Sequence, residues 1–167
     1  PGPVEYVASV FVRPEPEYWI ESFDSHEARN LAVIDAVRHL PRPTIVYVSL
    51  PDHAERLAAD LRQDGVLRVE AVTGRTSPDQ RRAVISRWRG DAVDTVTGDA
   101  SSRTDVVVGT SAFGLGVDQA DVRSVLHACL PETIDRYYQE VGRAGRDGRA
   151  AVALMLHSVE DRRIAED

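Results

Sequence analysis

The sequence contains no lysine: all 20 of its basic residues are arginine. Cysteine occurs once, as Cys129, and methionine once, as Met155. One cysteine cannot close an internal disulfide. Neither it nor the 5 histidines fall into a metal-ligand spacing, so no metal site is expected. Aromatic residues make up only 6% of the chain, so a core has to be built from aliphatic side chains. No apolar run approaches the roughly 18–20 residues that span a bilayer, and no basic-then-apolar segment opens the chain. The expectation is a cytoplasmic protein with no membrane partner. The single methionine far from Pro1, and strand-like residues soon after it, give the look of a fragment of a longer protein.

What is present suits one folded domain: 167 residues, of which 43% are hydrophobic. Acidic residues outnumber basic ones 27 to 20, a net charge of −7. Taken whole, that balance argues against nucleic acid, because phosphate binding draws on clustered cations. The placement of the arginines matters more than their sum.

Apolar runs alternate with helical patterns, the signature of βα units around a parallel sheet. Val7–Val12 reads as a first strand, closed by the proline-rich Arg13-Pro14-Glu15-Pro16. Asp24-Ser25-His26-Glu27 resembles a capping box opening a helix with Leu31, Ile34, Val37 and Leu40 on one face. Thr44–Val48 is a short apolar run of the kind buried mid-sheet. Pro51 suits the first turn of a second helix, with Ala54, Leu57, Ala58 and Leu61 inward and a stop near Gly65. Leu67–Val72 follows as a strand. Ser77-Pro78-Asp79-Gln80 then opens a capped helix to about Arg89. Gly90–Arg103 is polar and patternless, a loop. Asp105–Val108, Ser124–His127 and Ala151–Leu156 supply three more strands, with a helix over Thr133–Glu140 and a last one capped by Ser158.

Gly109-Thr110-Ser111-Ala112-Phe113-Gly114-Leu115-Gly116-Val117-Asp118 follows a strand directly, and glycines there let backbone approach a phosphate or a neighbouring domain. The spacing of Gly109 and Gly114 fits a P-loop, but Leu115 stands where the lysine must be, and no other lysine can replace it. A dinucleotide fingerprint is not supplied. A nucleophile elbow would place Ser111 correctly, yet Phe113 fills its second glycine position. A tight connection without chemistry is the plain alternative.

Gln139-Glu140-Val141-Gly142-Arg143-Ala144-Gly145-Arg146-Asp147-Gly148-Arg149 interleaves arginines with glycines after a helix. With Arg136 it makes a basic patch inside an acidic chain. A solvated loop is the bland account. Permanently charged planar forks on a regular spacing are what bidentate phosphate recognition requires.

At these residues the sequence resembles the superfamily 2 helicases, and the RecQ-like branch in particular. Gln139 to Gly148 looks like motif VI of that family, Val107 to Asp118 like motif V, and Thr44–Ser49 takes the place of motif IV. Together they cover about residues 44–156. The resemblance implies one domain over residues 1–167, the second RecA-like domain of a DNA helicase, an α/β/α three-layer fold with a mostly parallel sheet. It implies ATP as cofactor, clamped with Mg²⁺ mainly by a first RecA-like domain that carries the P-loop and the DExH box. In this resemblance Arg146 is the arginine finger, supported by Arg143 and Gln139, and Gly116 and Asp118 lie at the ATP cleft. Ser49, Gly74, Thr110 and Ser111 would contact single-stranded DNA through its phosphates, which are the same in every sequence.

Two stretches depart from the family. Ala71-Val72-Thr73-Gly74 stands where a Tyr/His-Ala-Gly turn is usual, and residues 91–103 make a longer link into motif V. His127 and Cys129 read as core residues. With no lysine, no Asp-Glu pair and no zinc-binding cysteines, the chain alone is expected neither to hydrolyse ATP nor to unwind DNA. The alternatives are a translocase that remodels nucleic-acid complexes, a regulatory domain that kept the fold, and, more distantly, a hydrolase built on Ser111.

Overall fold

The computed structural model describes residues 15–90, 103–111 and 119–161. Strand and helix alternate through them. The elements are β1 (Pro16–Phe23), α1 (His26–His39), β2 (Thr44–Tyr47), α2 (Pro51–Gln63), β3 (Val69–Val72), α3 (Pro78–Arg89), β4 (Val106–Gly109), β5 (Ser124–His127), α4 (Ile134–Val141) and β6 (Ala151–Ser158). Among the described residues the strands form one six-stranded sheet in the order β1-β6-β5-β2-β4-β3. Every pairing is parallel, which bears out the α/β expectation.

Parallel strands need a crossover between each pair, and helices make those crossovers over the sheet faces. Ile45, Tyr47, Val107 and Val125 pack on one face against Val84 and Trp88 of α3 and Tyr137 and Val141 of α4. Val46, Val48, Val106, Val108 and Leu126 pack on the other against Val33 and Val37 of α1 and Ala54, Leu57, Ala58 and Leu61 of α2. Burial on both faces explains why β2, β4 and β5 are buried at every position.

Local signals set most of the boundaries. α2 has Pro51 in its first turn and buries the four residues expected. The Ser77 hydroxyl accepts from Gln80 N while the Gln80 side chain accepts from Ser77 N, both at 3.3 Å, closing the capping box that opens α3. Gly90, with φ 77°, ends that helix in the left-handed conformation. β5 has the bounds expected, and Thr133 caps α4.

Several elements differ from the sequence reading. The strand expected over Val7–Val12 lies outside the described residues, as does most of the loop expected after Gly90. β1 starts instead at Pro16, inside the stretch read as a break. Proline is tolerated there because it is the first residue of an edge strand, which pairs with β6 alone. β3 is shorter than expected, and Leu67, outside it, is 77% exposed. α1 is capped by Ser25 and turns Arg29, Val33 and Val37 inward, leaving Leu31 exposed. The cause is Arg29, whose buried guanidinium donates to Ala128 O at 2.6 Å and to Asp161 at 3.0 Å. Asp161 also accepts from Ser158 N at 2.8 Å, and Ser158 caps the turn beyond β6 as expected. No helix among the described residues is long and apolar enough to cross a membrane.

The Arg29–Asp161 pair is desolvated on both sides, its side chains 5% and 9% exposed. Arg29→Ala leaves a carboxylate buried without its cation, and the expected loss is about 3–5 kcal/mol in urea unfolding. A loss under about 1 kcal/mol, the range of exposed pairs, would show that water reaches the contact.

Candidate functional site

Parallel strands deliver their following residues to one edge. Tyr47 of β2 is level with Gly109 of β4, and Gly109 with Val72 of β3, so these three neighbours end together. Ser49, Gly74, Thr110 and Ser111 come just after those ends, and the structure thereby brings them to the carboxyl edge where open α/β sheets bind ligands. Thr110 is buried, and a side chain at Gly74 would meet only open space. Ser49 and Ser111 share a small cleft of about 70 Å³ with Tyr47, Cys129, Arg136 and Glu140. The Cys129 thiol lies 3.7 Å from Tyr47 O, and burial pushes its pKa up to about 11, so it is no nucleophile at neutral pH. Among the described residues no histidine hydrogen-bonds the Ser111 hydroxyl; the neighbouring His127 is bonded to Glu140 instead. A hydrolase built on Ser111 therefore loses its support.

The arginine segment lies at the other end of α4. Thr133 accepts from Arg136 N at 3.1 Å to start the helix, and Tyr137, Glu140 and Val141 face inward. After Val141 the backbone turns back on itself. Gly145 N donates to Val122 O at 2.9 Å and Asp147 N to Ala120 O at 3.2 Å, which pins the turn to the residues entering β5. Gly145 has φ +63°, and a Cβ there would stand 2.8 Å from Arg149 O and 3.0 Å from Glu15 Cβ. Only glycine fits. Arg123 completes the anchor, donating to Asp121 O at 2.9 Å, Ala150 O at 3.1 Å and Asp147 Oδ1 at 2.6 Å.

On this fixed turn Gln139 and Arg146 are exposed, and Arg146 Nε donates to Gly142 O at 3.1 Å. Arg143 is half-buried, its guanidinium facing the Tyr47 hydroxyl. Gly116 and Asp118 lie outside the described residues, but the chain reappears at Gln119 beside the turn, through the Asp147 N–Ala120 O bond. No group of metal-ligating side chains occurs among the described residues.

Between the two ends lies a polar contact that the sequence reading missed. His127, fully buried at the end of β5, bonds through Nε2 to Glu140 Oε2 at 2.9 Å. Arg136 Nε stands 3.5 Å from the other carboxylate oxygen, Oε1. The His127 ring stacks on Tyr47, centroids 5.1 Å apart and planes 20° apart, and Tyr137 tilts against it at the same distance. Burial pushes the Tyr47 hydroxyl well above the ordinary tyrosine range, with Arg143 opposing. His127 is core, as expected, but it is partnered core. The signal was available: a histidine closes an apolar strand, and a glutamate lies on the inward row of α4 with Tyr137 and Val141.

The comparisons with known proteins agree with this geometry. Residues 28–148 match the model of the helicase conserved C-terminal domain. The chain belongs to the helicase C-terminal domain family. The helicase C-terminal domain described here resembles an ATP-dependent DNA helicase of Schizosaccharomyces pombe, hus2/rqh1, at 35% identity over 74% of this chain and 8% of that one. It resembles the ATP-dependent DNA helicase RecQ of Bacillus subtilis at 37% identity over 70% of this chain and 18% of that one. The chain thus spans a small part of these relatives, which are of the RecQ-like branch. Among solved structures, the Escherichia coli DEAD-box protein SrmB superposes with a TM-score of 0.75 at 22% identity, over 92% of this chain and 83% of that one. A DEAD-box protein of Methanococcus jannaschii gives 0.70 at 20% identity, over 91% and 39%. These likenesses carry the fold, which is RecA-like.

Two outcomes test the anchored turn. Gly145→Ala is expected to cost about 1–3 kcal/mol in thermal or urea unfolding, the strain of a left-handed non-glycine residue. Hydrogen bonding from Arg123 holds the Asp147 carboxyl below its ordinary value. This tether is complete above the usual aspartate range, near pH 4, and is lost as pH falls through the lowered native value. NMR titration of the Asp147 carboxyl should show the depressed midpoint, and Arg123→Ala should raise it toward the ordinary one, with Arg149 N still bonded to the carboxylate.

Proposed function

We propose that this domain is the second motor half of an ATP-dependent DNA helicase of the RecQ-like kind, supplying an arginine finger to a site whose P-loop lies on another domain. The turn at residues 142–149 carries the reading, because it fixes exposed guanidinium groups on backbone tied to β5. Arg146 is the finger, exposed and braced by its bond to Gly142 O. Arg143 and Gln139, on the same helix and turn, support the phosphates or the domain contact, and the resemblance assigns Gly116 and Asp118 to the same nucleotide.

ATP supplies the phosphoryl group whose loss drives the motor, and Mg²⁺ is held by the first domain. The residues on this side suit that group: a planar guanidinium meets spreading phosphoryl charge without a proton to lose. With no lysine anywhere in the chain, the β- and γ-phosphates have no P-loop lysine here. Ser49, Gly74, Thr110 and Ser111, at the carboxyl edge, meet the backbone of single-stranded DNA, so the strand and the nucleotide are served from opposite ends of α4. The first RecA-like domain of the same protein is the partner that closes the site. The anchored turn favours a motor over a regulatory domain, since a domain without turnover has no use for a braced cationic turn.

ATP turnover should be undetectable for this chain alone, with or without single-stranded DNA. Joined to its upstream sequence, it should show DNA-stimulated turnover that falls by about 10³–10⁵ in Arg146→Ala, the usual weight of such a finger. Turnover by the isolated chain would reveal a complete nucleotide site and end the half-site reading.

A further inference from the structure

His127 and Glu140 form a buried polar contact in the middle of the domain that neither phosphate binding nor strand binding requires directly. Their side chains are 1% and 8% exposed. Burying a carboxylate is costly unless it is paired, and a well-packed apolar pair of the same volume is often as stable or more so. Stability therefore does not account for this choice of residues. Position does. Glu140 directly follows Gln139 and precedes Arg143 by less than one helical turn, whereas His127 ends the strand beside β2.

Three contacts then locate α4 against the sheet. Glu140 ties it to β5 through His127 at 2.9 Å, and the charge of Arg143 acts on the Tyr47 hydroxyl of β2. Gly145 N ties the following turn to Val122 O at 2.9 Å. Tyr47 and His127 are stacked on each other, so the first two contacts act as one body. That body also walls the cleft holding Ser49 and Ser111.

We propose that His127 and Glu140 are a positioning pair that sets α4, and with it Arg143 and Arg146, relative to the carboxyl edge that meets the DNA strand. Through Tyr47, His127 and Glu140, a strand seated at Ser49 and Ser111 moves or steadies the arginines. The pair acts through the placement of α4 and not on the reacting atoms of ATP. The inference rests on the reading of Arg146 as the finger.

The test uses the full-length parent protein, with ATP turnover followed against ATP and against oligothymidylate. Glu140→Ala should lower kcat at saturating DNA by about tenfold to a hundredfold, the effect of a small misplacement of reacting groups. KM for ATP should stay within about twofold, as befits a loss confined to the transition state. Glu140→Gln, which keeps a hydrogen-bonding partner for His127, should restore most of the rate. Tyr47→Phe removes only the hydroxyl that faces Arg143, and serves should Glu140→Ala fail to fold. It should lower kcat several-fold and, where Glu140→Ala folds, combine with it non-additively, as coupled residues do. Unchanged kcat in both Glu140→Ala and Tyr47→Phe overturns the proposal. So does a rate loss that Glu140→Gln does not repair. Arg146→Ala in the same assay separates the two readings. Turnover that survives it removes the finger. Turnover lost with Arg146→Ala but kept at full kcat in both Glu140→Ala and Tyr47→Phe removes the positioning pair alone.

Discussion

Because every strand of this sheet runs the same way, each strand must hand over to its successor by a crossover, and all strand ends of one kind collect on one edge. Residues far apart in sequence, such as Ser49, Gly74 and Thr110, become neighbours of a single edge for that reason alone. The same constraint sends the turn after α4 to the opposite edge, where β6 begins and the residues entering β5 lie. One rule of connectivity thus builds two groups of functional candidates and keeps them apart.

Within that frame the buried polar contacts do what apolar packing cannot. The aliphatic layers on each face would tolerate some sliding, since hydrophobic contact is non-directional. Arg29 bonded to Ala128 O and Asp161 locks α1 to the carboxyl ends of β5 and β6. His127 bonded to Glu140 does the same for α4. Each is a directional contact placed where a helix passes a strand end. Arginine suits the first of these roles better than lysine would, because its planar fork reaches a carbonyl and a carboxylate together.

How much of this was legible in the sequence follows from which interactions were local. The capping box at Ser77, the apolar row of α2 and the bounds of β5 depend on near neighbours, and they were read correctly. On α1, Ile34, Val37 and Leu40 pack inward as expected, but Leu31 does not and Arg29 does, because Arg29 is held by Asp161, a residue 132 positions away that no periodicity reveals. β1 was missed because its exposure on both faces erases the alternation that marks a strand; only its pairing with β6 makes it one. The arginine turn was legible as a motif, but not the reason for Gly145, which is a clash with Arg149 O across the turn. His127 and Glu140 were visible separately, one as a core histidine and one as a motif letter. Only the packing of α4 on β5 makes them a pair.

The length of α4 decides how its two ends can communicate. It has 8 residues, about 12 Å of helix at 1.5 Å per residue, with the strand-end cleft at its start and the arginine turn at its finish. A helix of two turns does not bend appreciably, so a displacement at Arg136 is passed to the turn as a rotation of the whole helix. The turn is also fastened to Val122 O and Ala120 O, which permits rotation about those bonds more easily than translation. A strand arriving at the cleft would therefore act on the arginines by tilting α4 about its anchored end. The contacts best placed to resist or direct that tilt are those farthest from the anchor, at Arg136 and Tyr137, while Glu140 holds the helix nearer the turn.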